Sequence, residues 1–276
     1  MLGQDLAPLL TARQELLPAD LPEVDITDAS EVEKSVDAGK PDVVIHAAAF
    51  TAVDECERQS QRAFLVNSTG TRNVALACRR ARVPMLYMST DYVFDGEKDA
   101  PYVESDAPNP LNIYGKSKLD GERHVRELVP HFWIVRTSWL FGPLGKNFVQ
   151  TILGRLRAGE ALRVVDDQVG APTYTIDLAA KLLQIVESGG PGIYHVTNQG
   201  YCSWFDFSRE VARQAGLGWA AISPTPTSDS DRAARRPLNS RLANTRLKSE
   251  GLSLLPTWTD AVGRYLEREA RAGAPA

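Results

Sequence analysis

Val43-Val44-Ile45-His46-Ala47-Ala48 is a largely apolar, β-branched run that ends in small residues, the pattern of a strand buried on both faces of a sheet. Working outward, Met85-Leu86-Tyr87-Met88-Ser89 and Trp133-Ile134-Val135-Arg136 repeat it, and Glu15-Leu16-Leu17 is a weaker copy. Helical patterns lie between them. Asp28-Ala29-Ser30-Glu31 has capping-box spacing for a helix to about Ala38. Ala63, Val66, Gly70, Val74, Ala77 and Ala81, spaced by three and four, mark the core face of a longer helix. Strands alternating with helices predict an α/β protein with a doubly wound parallel sheet.

Beyond about residue 145 the pattern becomes mixed. Helices are expected near 146–158, 177–188, 203–215 and 258–270, separated by loops containing Gly and Pro. The expected division is therefore a doubly wound sheet over 1–145 and a smaller substrate-closing lobe over 146–276, interleaved with the first.

Composition narrows the function classes. The chain has 276 residues, 43% hydrophobic and 24% charged, enough for a large core. A net charge of −4 carries no basic excess for nucleic acid, and no apolar stretch approaches the ~20 residues of a membrane span. The start, Met-Leu-Gly-Gln-Asp-Leu, has no basic segment followed by an apolar signal. Three cysteines, Cys56, Cys78 and Cys202, form no CxxC pair and leave an odd count, which points to reduced thiols and the cytoplasm. Four scattered histidines give no metal-ligand spacing.

Open α/β sheets place their chemistry at the carboxyl ends of the strands, and there the second run continues into Thr90-Asp91. Downstream, Tyr114 and Lys118 stand one helical turn apart, on one face. Tyr114 alone among eight tyrosines has Lys at the fourth position, and it follows a loop bearing Pro101, Pro108 and Pro110. A nearby ammonium favours the phenolate and lowers a pKa that starts near ~10, as proton transfer to a reduced carbonyl requires. A Tyr/Lys pair at this spacing also arises by chance, so alone it is a weak signal. The small residues Ala47-Ala48-Ala49 would let a cofactor approach a strand end closely, or simply allow helix-on-sheet packing.

These segments resemble the extended short-chain dehydrogenases/reductases, and within them the dTDP-4-dehydrorhamnose reductases. The resemblance rests on Val24-Asp25-Ile26-Thr27-Asp28, Ala47 through Asp54, Ser89 through Gly96, Pro110 through Leu119, and Arg136-Thr137-Ser138-Trp139. It continues through Asp166 to Tyr174 and Arg235 to Ser240. It implies a Rossmann-like NAD(P)-binding fold and transfer of hydride from NADPH, or NADH, to C4 of dTDP-4-dehydro-L-rhamnose. Tyr114 would protonate the nascent alkoxide, Lys118 would assist it and hold the nicotinamide ribose, and Thr90 would hydrogen-bond the sugar oxygen. The resemblance further assigns Gly3, Asp25, Ile26, Ala47, Ala48, Ala49, Phe50 and Thr51 to the cofactor. It assigns Val53, Asp91, Trp139, Asn147, Gln168 and Arg236 to the dTDP-sugar substrate. It allows a homodimer, and Mg²⁺ through glutamates that have no evident counterpart here.

The resemblance implies an N-terminal strand and a G-x-x-G-x-x-G loop, of which Met1-Leu2-Gly3 match only the final three positions. The expectation is that the first strand and the pyrophosphate cradle are missing, through a start assigned too late or a genuine loss. Two alternatives share the Tyr/Lys pair. A sugar-nucleotide dehydratase or epimerase is one, but a dehydratase of that kind carries Glu where Tyr92 stands. A non-catalytic subunit similar to the regulatory subunit of methionine adenosyltransferase is the other, and it lacks the Arg-Thr-Ser-Trp and Gln-Val-Gly-Ala-Pro-Thr blocks present here.

Overall fold

The computed structural model describes residues 2–12 and 14–272; Met1, which the expected glycine motif includes, lies outside them. In chain order the first elements are α1 (Leu2–Thr11), α2 (Ala29–Gly39), β1 (Val44–His46), α3 (Val53–Arg58) and α4 (Ser60–Phe64). A π-helical turn (Leu65–Gly70) leads into α5 (Thr71–Ala81), followed by β2 (Met85–Thr90), α6 (Ile113–Leu128) and β3 (Phe132–Thr137). Then come β4 (Leu140–Phe141), α7 (Phe148–Arg157), β5 (Leu162–Val165), β6 (Val169–Gly170), β7 (Thr173–Tyr174) and α8 (Thr175–Ser188). The last are β8 (Gly192–His195), β9 (Cys202–Ser203), α9 (Trp204–Gln214), β10 (Ile222–Thr225), α10 (Thr245–Ser249) and α11 (Trp258–Ala272).

The main sheet is parallel, in the order β1-β2-β3-β8. Alternation along its central strands sends successive side chains to opposite faces. Leu86, Met88, Trp133 and Val135 pack with Leu6 of α1 and Leu178 and Leu182 of α8. Met85, Tyr87 and Ile134 pack with Val36 of α2, Val74 of α5 and Val125 of α6. Both faces are therefore covered, as the near-continuous apolar runs require. The later part of the chain builds its own core around Phe141 of β4, Phe207 of α9 and Tyr265 of α11, yet returns β8 to the main sheet beside β3.

Three expectations need correction. Glu15-Leu16-Leu17 forms no strand, because it finds no ladder partner; β1 pairs on one side only, and Leu17 is exposed. The helix expected through Ala63–Ala81 is broken by the π-turn, whose extra residue rotates the buried face. Asn67, Ser68 and Thr71 are buried as a result, while Ala81 is exposed. Only half of the capping box forms: Asp28 accepts from the Ser30 and Glu31 amides, but the Glu31 carboxylate accepts from the Asp25 amide instead.

Candidate active site

Helix α6 brings Tyr114 and Lys118 to the carboxyl end of β2, and three local interactions fix its start. Asn112 caps it, accepting from the Gly115 amide at 2.8 Å and donating to the Arg235 carbonyl at 2.8 Å. Glu57 of α3 accepts from the Ile113 amide at 2.8 Å. Gly115 lets the helix close on the turn after β2, since a Cβ there would stand 2.1 Å from the Tyr92 carbonyl oxygen. Thr90 ends β2, accepts from the Tyr92 amide and donates to Asp91 at 3.0 Å. The Tyr92 ring meets Tyr114 edge-on at 5.9 Å. Thr90, Asp91, Tyr114 and Lys118 therefore converge on one strand end.

Burial sets the charges of these groups. It raises the Tyr114 pKa well above that of a free phenol, against the neighbouring Thr90 hydroxyl, which works to lower it. Desolvation pulls Lys118 down to about 7, opposed by the charge of Glu122. Burial likewise lifts Asp91 to about 7, against the hydrogen bond that Thr90 gives its Oδ1, while its Oδ2 has no partner among the described residues. The expectation that Lys118 lowers the Tyr114 pKa is corrected here. The Lys118 ammonium lies 4.1 Å from the Tyr87 ring centroid, and burial dominates both groups. His46, stacked on Tyr87 and paired with Thr71 at 3.1 Å, is held neutral by burial, with a pKa of about 3.

On the cofactor side, Ala47, Ala48, Ala49, Phe50 and Thr51 form the partly open loop after β1. Asn67, projected by the π-turn, pins that loop: its Oδ1 accepts from the Phe50 amide at 2.7 Å, and its Nδ2 donates to the Phe50 carbonyl at 3.0 Å. The same Nδ2 donates to Ser117 Oγ on α6 at 3.0 Å, so one side chain couples the small-residue loop to the helix of Tyr114. Sequence reading missed Asn67 because it treated this segment as an ordinary helix face. Asp25 accepts from the Thr27 amide and hydroxyl, both at 2.8 Å, and Ile26 packs against Gly70. Gly3 lies exposed in the first turn of α1. Lys118, its Nζ making no hydrogen bond to another described residue, is a donor suited to a ribose diol, and the partly exposed small residues after β1 would let a cofactor's backbone approach. These residues fit the ribose of a nicotinamide dinucleotide.

On the opposite side, Val53 opens α3 and Asp54 follows it. Asp54 holds Arg236 through two hydrogen bonds of 3.0 and 2.7 Å and also accepts from the Ala234 amide at 3.0 Å. That arginine keeps the Asp54 carboxyl down at about 2. Arg236 thus arrives already paired, and the neighbouring loop is tied down beside Tyr92. Gln168 donates to Thr227 at 2.9 Å. Asn147 spends its side chain on structure, capping α7 through the Gln150 amide and donating to the Gly142 carbonyl at 2.7 Å. Trp139 sits between β3 and β4 with φ of 48°, stacked on Trp204 with centroids 3.6 Å apart and planes at 9°. Trp204 was not foreseen; its only sequence signal was its place at the first position of a capped helix. Among the described residues no group of His, Cys, Asp or Glu is placed to hold a metal ion, so the Mg²⁺ expectation finds no ligand set.

The family described as RmlD substrate binding domain matches residues 1–271. A dTDP-4-dehydrorhamnose reductase of Aggregatibacter actinomycetemcomitans is 41% identical over 260 residues, covering 90% of this chain and 88% of that protein. The spore coat polysaccharide biosynthesis protein SpsK of Bacillus subtilis is 38% identical over 272 residues, covering 98% and 95%. Among solved structures, the dTDP-4-dehydrorhamnose reductase of Bacillus anthracis in complex with NADP superposes with a TM-score of 0.94 at 37% identity, covering 97% of this chain and 95% of that one.

Proposed function

Since the chain belongs to the RmlD substrate binding domain family, we propose that it is a dTDP-4-dehydrorhamnose reductase. It would reduce the C4 ketone of dTDP-4-dehydro-L-rhamnose to dTDP-L-rhamnose in the synthesis of cell-surface polysaccharide precursors. The observation that carries the reading is the convergence of Tyr114 and Lys118, on one face of α6, with Thr90 at the carboxyl end of β2. The relatives named as reductases of this sugar nucleotide support it.

Bound nicotinamide dinucleotide supplies the hydride; NADPH is the proposed form, in line with the NADP found in the Bacillus anthracis structure. The Ala47–Thr51 loop, Asp25 and Ile26 would line its path, and Lys118 would hold the nicotinamide ribose. Tyr114, kept protonated by burial, donates its proton as negative charge develops on the sugar oxygen. Thr90, whose single hydroxyl proton goes to Asp91 in this structure, would turn it to that oxygen as a second hydrogen bond. Donors fixed in advance and aimed at charge present only in the transition state act mainly on kcat. Val53, Asp91, Trp139, Gln168 and Arg236 are proposed to face the sugar nucleotide. Tyr92 occupies the place of a dehydratase's carboxylate base and leans on Tyr114, which favours simple reduction. No helix of the described residues is long and apolar enough to cross a membrane, and the three buried free thiols suit the proposed cytoplasmic setting.

Tyr114→Phe tests the assignment. Loss of the proton donor is expected to lower kcat by roughly 10²-fold or more, followed by consumption of reduced nicotinamide, while fluorescence titration shows NADPH still binding. A variant that keeps more than a tenth of wild-type kcat would refute the role.

A further inference from the structure

Helix α6 carries a third ionisable residue on the face of Tyr114 and Lys118. Glu122 lies one turn beyond Lys118 and is 1% exposed. Arg136 of β3, equally buried, donates through Nε to Oε1 at 2.8 Å and through Nη2 to Oε2 at 2.7 Å. Ser89, next to Thr90 on β2, donates to Oε1 at 2.5 Å. One carboxylate therefore joins the strand of Thr90, its neighbouring strand and the helix of the proton donor. A buried ion pair that serves packing alone is commonly replaced by apolar side chains at little cost. This one has a further task open to it, because an ammonium lies one turn away in a desolvated site.

We infer that Glu122 is a positioning residue for the reduction, acting through Lys118: its carboxylate, locked by Arg136 and Ser89 one turn from the ammonium, supports the charge of that buried ammonium during turnover. The inference rests on the proposed reading of Tyr114 and Lys118 as the reducing pair. Burial pulls Lys118 down to about 7 even with the charge of Glu122 opposing it, so losing that charge would let the ammonium deprotonate below neutrality. The other groups packed around the ammonium offer little substitute. His46 of β1 is neutral, Tyr87 of β2 and Tyr114 of α6 are phenols pushed up by burial, and Asp91 beyond β2 shares its proton near pH 7. Arg136 of β3 is positive, and Asp120 of α6 is engaged by Ser68 at 2.6 Å.

The test is the pH profile of kcat/KM for NADPH-dependent reduction of the 4-keto sugar nucleotide, measured on the full chain together with thermal midpoints. Glu122→Gln is expected to move the alkaline limb down by about one pH unit. That is roughly a tenfold loss above the limb, shrinking to little on its acid side. Glu122→Asp, which keeps the charge, is expected to hold the limb near the wild-type position even where its midpoint falls. A purely structural pair would lower the midpoint in both variants and depress the rate equally at every pH, and that outcome overturns the inference. If Glu122→Gln does not fold, the double variant Glu122→Gln/Arg136→Met removes the unpaired guanidinium. Its limb is then expected to fall too, and an unmoved limb overturns the inference. A wild-type chain active on the sugar nucleotide with an immobile limb refutes only Glu122's role, whereas a wild-type chain inactive on it refutes the reductase reading and this inference together.

Discussion

Gly170→Ala should separate the place of Trp139 in substrate recognition from its place in the core. A Cβ at position 170 would stand 2.5 Å from Trp139 Cε2, 2.7 Å from Cζ2 and 2.8 Å from Nε1, against an ordinary contact of 3.4–4 Å. The indole must therefore retreat by about 1 Å, since it is the ring and not a flexible tip that is met. Retreat is obstructed: Trp204 is already stacked on it at 3.6 Å, and Phe148 leans on Trp204 at 4.5 Å. Accommodating one methyl against such a stack costs about 1–3 kcal/mol. If the present indole position is the one the sugar meets, that cost is read as a rise of roughly 5- to 150-fold in KM for the sugar nucleotide. Neither kcat nor NADPH affinity should change much, because Gly170 lies on β6, outside the main sheet that carries Thr90. Steady-state kinetics give KM, and near-ultraviolet circular dichroism of the tryptophan pair reports that the stack has moved. A disturbed stack with an unchanged KM would refute the reasoning, as would equal losses of KM and NADPH affinity.

Asn67→Ala should weaken NADPH binding, measured by fluorescence titration, by roughly tenfold, because it leaves the partly buried Phe50 amide without its partner, a loss of about 1–3 kcal/mol; unchanged affinity would show that the loop holds its shape without Asn67. Asp91→Asn should change the pH dependence of stability. The folded pKa of Asp91 is raised to about 7, so its contribution is present at low pH and is lost as pH rises from about 4 through 7. His46 and His195, both lowered to about 3 by burial, act in the opposite sense, losing stability as pH falls below about 6.5. Removing Asp91's proton uptake is therefore expected to steepen the rise of thermal midpoint between about pH 4 and 6.5 and to stabilise the chain at pH 8; a parallel curve would count against a protonated Asp91.

The main sheet was legible because β2 and β3 carry apolar residues on both faces, which only a strand covered twice can accommodate. Glu15–Leu17 failed as a strand because extended residues need a ladder partner, and partners are a property of the sheet rather than of the segment. The π-turn was invisible for a related reason. Ala63, Val66, Gly70, Val74 and Ala77 fit an unbroken helical stripe, and the extra residue is justified by what Asn67 and Ser68 reach on other elements, the Phe50 backbone, Ser117 and Asp120. Trp204 and Glu122 were missed in the same way, since each earns its place through a contact distant in sequence.

Tyr114 and Lys118 show where spacing stops being sufficient. Four residues of helix guarantee a shared face, so the pair could be nominated from the sequence, but the protonation states depend on burial, which spacing does not encode. An exposed pair would behave as first expected, with the ammonium easing the phenol towards ionisation. In the buried site desolvation penalises both charged forms, so the phenol is held protonated and the ammonium is made easy to lose. The first effect suits a residue whose task is to start each turnover carrying a proton. The second works against a charged lysine and calls for a fixed negative charge close by. Glu122, locked by Arg136 and Ser89, is the carboxylate placed one turn away, and the proposed reducing pair of Tyr114 and Lys118 thereby gains a positioning residue that works from inside the core.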